Sequence, residues 1–209
     1  HVSLVAQNFG QALVVPADSP DKTYQDLIAR AKKNPGKLNF AMLGSGSSTH
    51  LMDEMFRRMA GVDIPDVPYK GAGPASNDLL AGHIQLNFDA VATAIPRIQG
   101  GKLKAIAVSS LKRSSQLPDV PTVAEAADLP DFNVVAWIGL VARAGTPPEI
   151  TNRLAAEARK ALQSPELRER YQTLGMDPVS SSPTDLQKIM NEAYDRYGDL
   201  IKRANIKID

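Results

Sequence analysis

Between Leu38 and Val108 the chain alternates repeatedly between short apolar runs and amphipathic stretches, with glycine marking the changes. No other feature constrains the fold so tightly, because alternating strands and helices pack as a layered α/β unit with right-handed crossovers and a mainly parallel sheet. The runs predicted as strands are Leu38–Leu43, Asp66–Tyr69, Ile84–Phe88 and the continuous apolar Ala105–Val108. Between them, Leu51, Met52, Met55, Phe56 and Met59 recur at helical spacing and stop at Gly61. A second helix runs through Leu79 and Leu80 to Gly82, and a third from about Ala90 to Ile98, ended by Gly100-Gly101. Upstream, Val2–Ala6 and Leu13–Val15 read as strands, joined through Gln7, Asn8, Phe9 and Gly10 by a turn or a bend. Ser19-Pro20 offers a start for a helix carrying Tyr24, Leu27, Ile28 and Ala31.

The texture changes after Val108. Leu111–Asp131 is rich in proline and charge and reads as surface loop with one short helix near Val123–Ala126. Val134–Val141 is predicted as one long apolar strand, and the remainder as three helices with no sheet of their own. A helical tail of this kind must pack on something else, which places a boundary near Val134.

Composition narrows the function. The net charge of +1 argues against a protein that tracks phosphates along a nucleic acid. No apolar run approaches the ~20 residues that span a bilayer. Cysteine is absent and the three histidines, His1, His50 and His83, lie far apart, so neither thiolate chemistry nor a histidine-pair zinc site is expected. Neither a metal nor a cofactor is predicted.

Three strand ends carry residues suited to binding. Gly44-Ser45-Gly46-Ser47-Ser48-Thr49 follows a strand and opens a helix; small residues let a ligand approach the backbone, and the free amides of a helix N-terminus favour an anion. The same run also reads as a simple N-cap. It is neither a P-loop nor a nucleophile elbow, and a Ser47–His50 catalytic pair lacks an orienting acid. Tyr69-Lys70-Gly71-Ala72 repeats the context at the next strand end, and Asp89 follows at the third, as a ligand acceptor or as a cap. In open α/β sheets ligands bind outside the carboxyl ends of the strands, so these loops are predicted to converge.

These pieces, in this order, resemble the Bug (TctC-type) receptors of tripartite tricarboxylate transporters. The resemblance is carried by Pro35–Phe40, Gly44–Leu51, Met59–Ile64, Val67–Gly71, Phe88-Asp89, Gly101–Val108 and Leu117–Ala126, and it extends from Val2 to Asp209. It implies a fold like the type II periplasmic binding proteins, in which two α/β lobes joined by crossing strands close on a ligand. Here that is one complete α/β lobe, residues 12–134, with the crossover strand 1–11 and the return strand and helices 135–209 belonging to the other lobe. It further implies a periplasmic receptor, not an enzyme, that captures a small carboxylate for the membrane subunits of its transporter. Gly44–Thr49 and the turn of Tyr69, Gly71 and Ala72 would contact the carboxylate, with Asp89 implicated in some members. A sensing subunit for a membrane kinase would use the same closure, and an enzyme on this scaffold is the remaining alternative. Family members carry a long N-terminal segment before the position of His1, so the chain is expected to be truncated, to bind weakly or not at all, and to pair as a homodimer through the apolar surface of the incomplete lobe.

Overall fold

A computed structural model describes residues 1–8, 10–130 and 132–206. The chain runs β1 (Ser3–Asn8), β2 (Gln11–Pro16), α1 (Tyr24–Lys33), β3 (Phe40–Met42), α2 (Ser48–Ala60), β4 (Asp66–Pro68) and α3 (Ala72–Leu80). It continues with β5 (Asn87–Ala90), α4 (Val91–Gln99), β6 (Leu103–Val108), α5 (Val123–Ala127), β7 (Trp137–Leu140), α6 (Pro148–Ala161), α7 (Pro165–Thr173), β8 (Met176–Asp177) and α8 (Pro183–Ala204). Phe9 and Asp131, within the predicted turn and loop, and the last three residues of the resemblance lie outside the described residues. The described residues form two compact units, 1–8 with 135–199, and 10–130 and 132–134 with 200–206.

The larger unit is built on a mixed sheet. β3 and β4 are parallel, Phe40 facing Asp66 and Met42 facing Pro68. A parallel bridge from Phe40 to Leu86 sets the β5 segment on the other side of β3. β2 then pairs antiparallel with both β5 and β6. The order is therefore β4-β3-β5-β2-β6, with β2 reversed among strands that otherwise share one direction. This corrects the mainly parallel expectation. A short strand buried on both faces, as Ala12–Val15 is, reads the same in either direction, so its pattern carries no polarity.

Aromatic rings hold the helices to this sheet. Phe56 of α2 meets Phe40 at 5.5 Å, Phe88 at 5.8 Å, Tyr24 at 5.9 Å and Phe132 at 6.5 Å between centroids, all edge-on. Edge-to-face packing aligns the positive rim of one ring with the negative face of the next. Of the predicted face of α2, Leu51, Met52, Met55 and Phe56 are buried and Met59 is half-buried, and Gly61 closes the helix in the left-handed conformation at φ 63°. The start of α1 differs from the prediction. Thr23 caps it in a reciprocal box with Asp26, while Ser19 donates to Asp21 instead.

Ser109, fully buried after β6, accepts from the Gln11 amide at 2.8 Å and donates to the Val134 carbonyl at 2.6 Å. Val134 also donates its amide to Ser109, which removes it from the long strand predicted over Val134–Val141. Only Trp137–Leu140 is strand, and Ile138 and Leu140 are exposed.

The smaller unit centres on β1, antiparallel to β7 on one side and to β8 on the other. The tail thus supplies a second short strand, which its sequence did not announce. Ser3 and Ser181 exchange hydrogen bonds of 2.9 and 3.1 Å, tying β1 to the segment that leads into α8. Among the described residues no helix is long and apolar enough to cross a membrane.

Candidate functional site

Because β3 and β4 are parallel neighbours, their carboxyl ends and the loops that leave them lie side by side. The Tyr69 amide donates to the Met42 carbonyl at 2.8 Å, which extends the pairing to the first loop residue. The Ser47 and Gly71 neighbourhoods therefore share one edge of the sheet, and β5 delivers Asp89 to that edge from the other side of β3. The convergence expected from strand–loop–helix order is present.

In the first loop Ser47 is the N-cap of α2, its hydroxyl accepting from the His50 amide at 3.3 Å and bonded to the Thr49 hydroxyl at 2.9 Å. Gly46 adopts φ 71°, the left-handed region that glycine enters without a Cβ clash, and its amide donates to His50 Nδ1 at 3.1 Å. Ser47 donates its amide to Gly44 at 3.3 Å. Ser48 and Thr49 are the first two residues of the helix, and amides in the first turn find no partner within the helix itself. Ser48 is exposed and Thr49 buried, while Ser45 lies on the surface beside them.

Gly71 begins α3 at φ 154° and ψ 174°, a conformation open essentially to glycine alone, and no side chain caps the helix. A Cβ at Gly71 or Gly44 would meet nothing within 4 Å, so both backbone surfaces are accessible, and Ala72 is exposed beside them. The Tyr69 hydroxyl donates to Asp78 at 2.7 Å. Desolvation, with this bond, pushes the phenol up to about 12, so it remains a donor throughout the physiological range. Asp89 is buried and its carboxylate accepts from Thr93 at 2.6 Å and from Arg97 at 3.0 Å, both on α4. It does not cap that helix, whose N-cap is Ala90, without a side-chain bond.

Behind the first loop lies a charged cluster that the sequence reading passed over. Arg57 forks onto Asp66 at 2.6 and 2.9 Å, reaches Glu54 at 2.7 Å and donates to the Ile64 carbonyl at 3.1 Å. His50 Nε2 stands 3.7 Å from Asp66. Asp53, only 1% exposed, has neither carboxylate oxygen hydrogen-bonded. A signal was available, since Asp53 falls between Thr49 and Phe56 on the apolar face of the helix.

Burial, then the neighbouring Asp66 carboxylate, raises the Asp53 pKa well above the ordinary carboxylate range, partly countered by Arg57. A raised folded-state value contributes stability that is complete below the unfolded pKa near 4 and is lost as pH rises through the folded pKa. Asp53→Asn should therefore match its parent in acid and exceed it by about 1–3 kcal/mol at pH 8. Urea unfolding of both proteins across that range measures the difference, and a difference independent of pH would contradict the assignment.

The fold is thus two α/β units, the larger of which sends two helix N-termini side by side from adjacent parallel strands, an architecture of the periplasmic-binding class. The profile of the "Tripartite tricarboxylate transporter family receptor", TctC, matches residues 2–206. The chain belongs to this family. It is 39% identical over 198 residues to the "UPF0065 protein in tcbD-tcbE intergenic region" of a Pseudomonas species, covering 95% of this chain and 59% of that one. It thus spans about three-fifths of that relative's length. An R. palustris protein solved with adipate superposes with a TM-score of 0.83 at 31% identity, over 100% of this chain and 69% of that one. MatC from Rhodopseudomonas palustris with bound malate does so with 0.76 at 30% identity, over 96% and 68%. The family is one of receptors, not enzymes.

Proposed function

We propose that this chain is part of a periplasmic receptor that captures a small carboxylate for the membrane subunits of a tripartite tricarboxylate transporter. The unit that holds residues 12–130 and 132–134, with 10–11 and the end of α8 from Leu200, is the ligand-contacting lobe, and residues 1–8 and 135–199 belong to the other, so the expected bounds of 1–11 and 135–209 are narrowed at both ends. The observation that carries the reading is the shared edge at which the α2 and α3 N-termini emerge from adjacent parallel strands. Amides and partial positive charge at both helix ends suit a carboxylate, and the adipate and malate of the two solved relatives are dicarboxylates. Gly44, Ser45, Gly46, Ser47, Ser48 and Thr49 make the first contact turn, and Tyr69, Gly71 and Ala72 the second. Asp89 borders the site with its charge balanced by Arg97.

Malate and adipate should each be tested by thermal shift on the 209-residue chain; a ligand at 100 times its Kd adds about 2.7 kcal/mol to stability. Ser48→Asp places a carboxylate on the first turn of α2, which favours the helix but repels an anionic ligand. It should keep the melting temperature and weaken binding about tenfold or more. Unchanged affinity would remove this turn from the site.

The exposed Ile138, Leu140, Val141, Ile150 and Leu154 of the smaller unit supply apolar surface for self-association as a homodimer. Light scattering at rising concentration should show a mass above that of one chain; a constant monomer mass excludes it.

A further inference from the structure

The cluster behind the first turn ends on an atom of that turn. We propose that His50 is the positioning residue of the carboxylate turn, holding it through the Gly46 amide while its Nε2 faces an Asp66 anchored by Arg57; this rests on the receptor reading above.

An imidazole nitrogen accepts a hydrogen bond only when it carries no proton. The 3.1 Å bond from the Gly46 amide therefore fixes Nδ1 as bare and places the proton of the neutral ring on Nε2, the nitrogen that faces Asp66 at 3.7 Å. Asp66 cannot swing away, because Arg57 holds both of its oxygens, and Arg57 is held in turn by Glu54 and the Ile64 carbonyl. Arg58 binds the remaining Glu54 oxygen at 2.5 Å. A chain of contacts thus runs from Glu54 and Arg57 of α2, through charge-assisted bonds to Asp66 on β4, across the 3.7 Å approach to His50, and back to the apex of the turn.

The consequence for binding is indirect. Gly44 and Gly46 both have positive φ, so the turn has more freedom to lose than one built of larger residues. With the Gly46 amide committed to the ring, the amides left for an anion are those of Ser48 and Thr49, and their direction depends on the turn staying closed. His50 need not touch the ligand. It lowers the ordering cost that binding would otherwise incur.

His50→Leu and His50→Asn separate this role from simple packing. Both lose the reach to Asp66, but asparagine carries an amide oxygen close to where Nδ1 stands and can accept from Gly46. Nitrogen-15 spectra of the parent should show His50 Nδ1 unprotonated and Nε2 protonated. Hydrogen exchange should find the Gly46 amide protected in the parent and in His50→Asn, and open in His50→Leu. Affinity for malate or adipate, whichever raises the parent's melting temperature, should fall about tenfold in His50→Leu and stay within about threefold in His50→Asn, the size expected for one hydrogen bond.

Equal affinities in the two variants, or a Gly46 amide still protected in His50→Leu, would overturn the proposal. If neither acid binds the parent, malate and adipate are not ligands of this chain, and the exchange measurement alone decides whether His50 holds the turn.

Discussion

Phe56→Ala should cost about 4 kcal/mol of folding stability, the largest loss expected of any single truncation in the core. Phe56 is 1% exposed and is the ring at which Tyr24, Phe40, Phe88 and Phe132 meet. Those partners come from α1, β3, β5 and the segment after α5, and none of them can follow the backbone of α2 into the vacated space without leaving its own element. The cavity therefore persists, and its cost adds to the lost transfer energy of the ring. Tyr194→Ala provides the contrast. Its ring is 80% exposed, and its removal should stay within about 0.5 kcal/mol. Urea unfolding followed by circular dichroism measures both. A loss below about 1 kcal/mol at Phe56 would mean that the aromatic cluster is not the centre of the unit.

Arg57→Met is the second large effect, at about 3 kcal/mol near neutral pH. Methionine keeps most of the aliphatic stem but none of the five donors. Arg57 is 15% exposed, and its removal leaves Glu54, Asp66 and the buried Asp53 carboxyl on one patch without their shared cation. Burial acts to raise the Glu54 pKa, but the bonds from Arg57 and Arg58 outweigh it and hold the carboxyl below its usual range. A depressed value contributes stability above the unfolded pKa that is lost as pH falls through the folded one. Most of that contribution disappears with Arg57, so the gap between parent and variant should narrow in acid. Because the two side chains share hydrogen bonds, Arg57→Met and Asp66→Asn together should cost less than the sum of the single changes. Strict additivity, or a gap that widens in acid, would refute the account.

Much of the larger unit was legible in the sequence because its signals are local. The helical spacing of Leu51, Met52, Met55 and Phe56 anticipated the buried face of α2, and Gly61 its end. The positions of Gly44–Thr49 and Gly71 after β3 and β4 followed from the order of elements alone. The misses have one origin. Val134 looked like the start of a strand until its bonds to Ser109 were seen. β8 is two residues long, too short for periodicity to register. His50 looked like an isolated histidine because its partners, Gly46 and Asp66, are joined to it by a turn and by a neighbouring strand. Asp89 carries no mark in sequence of the Arg97 that neutralises it.

The sequence by itself determined most helices and strands of the larger unit and where glycine and serine open its turns, and the motifs strung along it the family to which the chain belongs. Each rests on residues within a few positions of one another, where spacing records burial and backbone preference. Only the tertiary structure decided the reversed β2, the side-by-side placement of β3 and β4, and the chain of contacts from Arg57 to Gly46. Those depend on pairings between distant segments, which are chosen by how well the whole core closes and leave no periodic trace in any one of them.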